Sequence, residues 1–262
     1  MTPIFDLTPI WHTDISEFLR LRHVQHIIST CLCDVIWQPF FLESSLPNHQ
    51  EVTQFLDAVS KSLSGFGGRS ESAWRVLTLR GIDALGGSSA KSNLVESTMY
   101  RILETLRPLT VPSESAELEK GLVDIVKSSA TLWKAARNDE MKIMIERRPD
   151  LHSKEKWHAE DIEGFEEAPI PPDETVNTMG IQSLCLFPTV LQTTARGETV
   201  VLHQGSALFA GSRVWVQGML EKKEHEQELA KAVMDARSKV NARRTSFPTG
   251  PNSPTEGKFS KT

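Results

Sequence analysis

Apolar residues recur at three- and four-residue steps from Ile15 and Leu19 through Val24, Ile27, Cys31 and Leu32 to Val35 and Ile36. That spacing keeps one face of a helix apolar, and it predicts a long amphipathic helix that Pro39 ends. Val52, Phe55, Leu56, Val59 and Leu63 repeat the pattern up to the glycines at 65, 67 and 68. Ala73, Trp74, Leu77 and Leu85 fit a third helix closed by Gly86 and Gly87, and Leu94, Val95, Met99, Ile102 and Leu106 fit a fourth that runs into Pro108. Ser113 is placed to N-cap a fifth, with Glu114, Glu117 and Glu119 near its positive end and an apolar stripe from Leu118 to Ala136. Each stripe has to be buried against another, so residues 10–148 are expected to form a helical body. No self-similarity of tetratricopeptide or ankyrin length interrupts this reading.

The pattern then changes. Three prolines fall between Ala168 and Pro172, and residues 149–182 read as an acidic linker or docking segment. Short β-rich runs follow at Ser183 to Leu191, Thr199 to His203, Ala207 to Phe209 and Val214 to Val216, with Arg196-Gly197 suited to turn a hairpin. Isolated strands are not stable alone, so 183–218 is expected to be a small antiparallel attachment packed on the body. Residues 219–244 return to helix with a narrow apolar edge of Leu229, Val233, Ala236 and Val240, set to pack on the body or to pair with a partner helix. Residues 245–262, rich in Pro, Gly, Ser and Thr, are expected to be disordered. The fold class is therefore mainly α: an irregular multi-helix bundle with a small antiparallel β-hairpin or sheet attachment and a C-terminal helix.

Composition changes this picture chiefly through charge. The 262 residues are 39% hydrophobic with a formal net charge of −5, too mild for a protein that coats nucleic-acid phosphates. The charge is uneven: Asp150 to Glu174 holds nine acidic residues against Lys154 and Lys156, whereas Met219 to Thr262 holds nine basic against six acidic. Three cysteines cannot build a disulfide scaffold and suit a reducing compartment. Pro3, Asp6, Pro9 and Asp14 interrupt any signal-peptide stretch, and no run reaches membrane-spanning length. The expected setting is intracellular, cytoplasmic or nuclear, away from membranes and nucleic acid.

Each catalytic template fails on its own geometry. His23 and His26 are helical neighbours, but Cys31 and Cys33 point apart on the same helix, so the four cannot close a tetrahedral metal site. Gly65-Phe66-Gly67-Gly68-Arg69 follows a helix and lacks the Lys-Ser/Thr ending of a phosphate loop. Ser206 is not in a nucleophile elbow, and a Cys185–His203 pair across the hairpin competes with ordinary strand packing. No catalytic, cofactor or metal residue is assigned.

Two segments stand out for recognition. Trp157, Ile162 and Phe165 are apolar residues set among acids, a patch fit to dock on this chain or on a partner. Arg243-Arg244-Thr245-Ser246-Phe247-Pro248 places arginines at −3 and −2 of a serine and proline at +2, which suits a basophilic kinase and then a phosphoserine-binding adaptor of the 14-3-3 type. Ser253-Pro254 is a second, proline-directed candidate.

IWQPFF at Ile36 to Phe41, RVLTLRGID at Arg75 to Asp83, LCLFPTVLQTT at Leu184 to Thr194 and VLHQGSALF at Val201 to Phe209 resemble phrases of uncharacterised, largely helical proteins of filamentous fungi. The resemblance spans Trp11 to Val216; it implies an intracellular setting and transfers no catalytic residue. The leading functional reading is a non-enzymatic interaction or regulatory module with protein partners and a phosphorylatable tail. One alternative is an enzyme or small-ligand binder whose pocket gathers Arg80, Arg101 and His203 from distant positions. Another, raised by how close Met1 lies to the first helix, is a helical regulatory portion of a larger fungal regulator.

Overall fold

The protein is described here from a computed structural model, in which residues 13–40, 49–66, 68–85, 88–110, 112–161, 183–193 and 198–245 are placed. The helices are α1 (Asp14–Val35), α2 (His49–Ser64), α3 (Gly68–Leu85), α4 (Ser88–Leu106), α5 (Ser115–Arg137) and α6 (Arg213–Thr245). The strands are β1 (Lys142–Glu146), β2 (Trp157–Ala159), β3 (Ser183–Phe187), β4 (Thr189–Thr193), β5 (Thr199–His203) and β6 (Gly205–Phe209). The chain is thus mainly helical, with two three-stranded sheets and a C-terminal helix. It divides into two compact units, Met1–Gly218 and Met219–Thr262, with the boundary inside α6.

The first unit is organised by α1. Thr13 caps it, its Oγ1 accepting from the Ser16 N–H at 3.1 Å, while Asp14 and Glu17 sit in the first turn where the helix dipole is positive. Ile27, Cys31, Leu32 and Ile36 are buried with Ile102 and Leu106 of α4 and Leu122, Val126 and Trp133 of α5. The Trp133 indole N–H donates to the Gln38 carbonyl at 2.8 Å, which ties α5 to the end of α1. The predicted stripes of α1, α4 and α5 therefore form the helical core, whereas Phe55 of α2 and Leu77 of α3, expected in the second and third stripes, are exposed.

α3 is fastened by charge as well as packing. Arg75, 3% exposed, donates to the carbonyls of Arg137, Asp139 and Glu140 at 2.9–3.0 Å, satisfying acceptors that the end of α5 leaves open. Glu71 balances the buried guanidinium at 3.4 Å and accepts from the Ser60 hydroxyl of α2 at 2.6 Å. Asp83 receives Arg137 at 2.5 Å. A buried ionic group of this kind is costly to leave unpaired, so the network fixes α2, α3 and the α5–β1 corner together.

The β region is one long antiparallel ribbon, bent at Pro188 and Gln204. Its inner half pairs β3 with β6, and its outer half pairs β4 with β5. β2 adds parallel to β6, giving the order β2-β6-β3, while β1 adds antiparallel to β4, giving β1-β4-β5. The two halves meet where the Lys156 carbonyl accepts from the Gly205 N–H at 2.8 Å and from the Thr189 hydroxyl at 2.7 Å. Glycine is required at this corner: a Cβ on Gly205 would lie 2.6 Å from Trp157 Cζ3 and 2.7 Å from the Thr189 backbone nitrogen.

Several expectations are corrected. Residues 10–148 are not wholly helical, because β1 closes the body; Ile143 and Ile145 alternate and pack on the helical core. The run 183–191 is two strands in two sheets, since Pro188 interrupts it, and one of the pairings is parallel. Val214 to Val216 open α6 instead of forming a strand, because Ser212 caps them: its Oγ accepts from the Trp215 N–H at 3.3 Å. Ser113 lies in a 3-10 turn, Pro112–Glu114, and α5 starts at Ser115 with Glu114 at the cap position. The 149–182 linker contains β2, so its first part is regular structure.

Candidate interaction surface

The side chains weighed for chemistry are mostly spoken for by the fold. His23 is buried on α1, its Nδ1–H donating to the Leu19 carbonyl at 2.7 Å and its ring stacked on Trp215 with centroids 6.0 Å apart. His26 donates through Nδ1 to the Cys185 carbonyl at 2.8 Å, joining α1 to β3. A carbonyl only accepts, so in both rings the proton sits on Nδ1. Burial pushes both imidazoles below the usual histidine range, which makes them neutral packing groups. Burial also raises the thiols of Cys31, Cys33 and Cys185, with Cys33 pushed up to about 12 and Cys185 to about 11. Thiols so protonated are poor nucleophiles and poor metal ligands. Among the described residues no group of three His, Cys, Asp or Glu is placed to hold a metal ion.

The proposed pairings also separate. Cys185 stands opposite Ala207 on the inner ribbon, whereas His203 stands opposite Val190 on the outer ribbon and packs on Phe187 at 4.9 Å. Arg80 is exposed on α3, and Arg101 on α4 faces Asp34 at 3.6 Å. Arg80, Arg101 and His203 therefore lie on three different elements, α3, α4 and β5.

Trp157 of the candidate docking segment is engaged within its own unit. It is 4% exposed on β2 and packs with Cys185, Ala207 and Phe209. Nearby, Glu160 accepts from Arg22 of α1 at 2.9 Å, and Arg22 lies over the Phe18 ring at 4.7 Å. The acidic segment thus begins by closing the β6 edge and pairing with α1. Ile162 and Phe165 lie outside the described residues.

The outer ribbon offers the contrast. β5 hydrogen-bonds to β4 along one edge, through Thr193↔Thr199, Gln192↔Val200 and Leu191↔Val201. Among the described residues no strand lines its other edge. The register then jumps to Val190↔His203, leaving Leu202 as the extra residue of a bulge. Val200 is 48% and Leu202 51% exposed, and Thr199–His203 contains no Asp, Glu, Lys or Arg. Unpaired backbone donors and acceptors beside exposed apolar side chains make an edge suited to receive another strand. Sequence reading identified β5 as a strand but not as an edge; a run without polar alternation reads as a strand buried on both faces, so no local signal marked it.

In the second unit, α6 carries exposed Leu229, Val233 and Met234. Arg243 and Arg244 fall in its last turns, while Ser246, Pro248 and Ser253 lie outside the described residues, as does the remainder of the 245–262 tail. No described helix is long and apolar enough to cross a membrane. No protein-family model, no curated protein and no solved structure matches this chain.

Proposed function

We propose that the chain is a non-enzymatic intracellular interaction module, an irregular helical bundle that presents a ribbon edge to a partner. The partner contributes an extended, uncharged, apolar segment that adds as a strand beside β5. Backbone pairing supplies affinity in such strand addition, and side chains such as Val200 and Leu202 supply selectivity. The observation that carries this reading is the exposure of both residues on the open edge. Fungal origin, suggested by the sequence phrases, gives the cell in which to look. Phosphorylation of Ser246, read out by an adaptor through Arg243, Arg244 and Pro248, is the proposed regulation; Ser253 is a second site.

Affinity purification from the native cell tests the reading, using the full chain and a Val200→Lys variant. A lysine on the edge disfavours strand addition without removing a buried group. Proteins recovered with the parent chain are expected to disappear with the variant while its thermal midpoint stays the same. An identical set of proteins with both chains would overturn the assignment to β5. Phosphopeptide analysis of the same material tests Ser246, and an adaptor that binds parent and Ser246→Ala chains equally would remove the regulatory part.

A further inference from the structure

From Met219 onward α6 belongs to the second unit, and its apolar stripe is exposed: Leu229 by 61%, Val233 by 45%, with Ala236 exposed as well. The spacing Leu229, Val233, Ala236, Val240 alternates four, three and four residues, the seam of a two-helix coiled coil. An exposed seam needs an occupant, and the charge along the helix identifies one. Met219 to Glu228 carries Glu221, Glu224, Glu226 and Glu228 against Lys222 and Lys223. Leu229 to Thr245 carries Lys231, Arg237, Lys239, Arg243 and Arg244 against Asp235. The first part is acidic and the second basic.

We infer that α6 pairs antiparallel with α6 of a second copy of this chain. Reversing one helix about the middle of the seam sets Leu229 across from Val240 and Val233 across from Ala236, twice each, so every seam position meets an apolar one. The same reversal continues the seam outward to Glu226 across from Arg243, again twice, so each end of the seam brings opposite charges together. Parallel pairing would do the opposite. It stacks Glu226 on Glu226, Lys222 on Lys222 and Arg243 on Arg243, and like charges facing each other are penalised. Within one chain Glu226 pairs with Lys222 at 3.8 Å while its own side chain stays mostly in solvent, a weak pair. The self-complementary pattern requires no partner of different sequence, and a twofold pair of identical surfaces is the commonest closed assembly.

Light scattering on the purified full-length chain reads the mass, and a dimer of the 29.3 kDa chain is expected. Val233→Glu removes an exposed seam residue, so the fold stays intact and the dimer weakens by at least about tenfold. Glu226→Arg and Arg243→Glu each weaken the dimer, and the two together in one chain restore it, because the pair is only exchanged. Orientation is read by oxidation of a mixture of Leu229→Cys and Val240→Cys chains, which should link 229 of one copy to 240 of the other. In an antiparallel pair, residue 229 lies about 16 Å along the axis from its own counterpart, so Leu229→Cys alone should not cross-link. A monomeric parent chain, a Leu229–Leu229 link, or failure of the charge exchange to restore the dimer would overturn the inference. A dimer lost in Val200→Lys but kept in Val233→Glu would place the interface on β5 and overturn it equally.

Discussion

The two halves of the ribbon are built from the same two strands of chain, yet one is interior and the other is surface. In the inner half β2 covers the edge of β6, α1 packs against β3, and Leu184, Leu186, Ala207 and Leu208 are fully buried or nearly so. In the outer half β1 covers β4, but Val200 and Leu202 of β5 stand in solvent. The apolar content of the strands does not separate them. What separates them is where the added strand lies: Trp157–Ala159 runs beside β6, whereas the third strand of the outer half, β1, runs beside β4 and leaves β5 with no second strand among the described residues. A sheet edge becomes core or surface according to what the rest of the chain lays along it.

The contrast breaks most visibly at Trp157. Replacing it with alanine empties the inner half of its largest side chain, and a loss of about 3–5 kcal/mol of stability is expected in denaturant titration. Gly205→Ala forces a methyl into Trp157 and the Thr189 backbone and should cost about 1–3 kcal/mol. Gly211→Ala is the control: its Cβ would meet nothing within 4 Å, so no comparable loss is expected. Equal effects at Gly205 and Gly211 would deny that the ribbon corner is tightly closed.

Acid should act on the inner half. His26 joins α1 to β3, His23 lies beneath Trp215, and burial lowers both folded-state values below that of the unfolded chain. Below the unfolded value the unfolded chain binds more protons than the folded one, so stability is lost as pH falls from about 6.5 and is intact above it. Thermal midpoints measured from pH 7.5 down to pH 5 should decline, and the decline should shrink in His23→Gln. A flat profile in the parent chain would contradict the burial assigned to these rings. A smaller effect concerns the thiols: native Cys33 and Cys185 should react slowly with an alkylating reagent at neutral pH and quickly once denaturant is added.

The helical core was legible because α1, α4 and α5 each bury a stripe of one period, and period is written in local sequence. β5 was legible as a short β-branched run, Thr199 to His203, and β6 in part, as the apolar run Ala207 to Phe209. The three residues of β2 were not, since nothing in Trp157-His158-Ala159 announces a strand; only the distant β6 makes one of them. Arg75 was equally hidden: its acceptors lie at the end of α5, more than sixty residues away, and no local spacing joins them. The openness of β5 is a property of the same kind, fixed by what fails to arrive beside it among the described residues.

Amide hydrogen exchange on the isolated chain, resolved residue by residue along β5 and β6, tests the difference between the two halves most directly. Those β5 amides not bonded to β4 are expected to exchange at least about a hundredfold faster than the amides of β6, which are held between β2 and β3. Protection along Thr199–His203 equal to that of Gly205–Phe209 would mean the edge is already occupied, and it would contradict the account of β5 as an open surface for a partner.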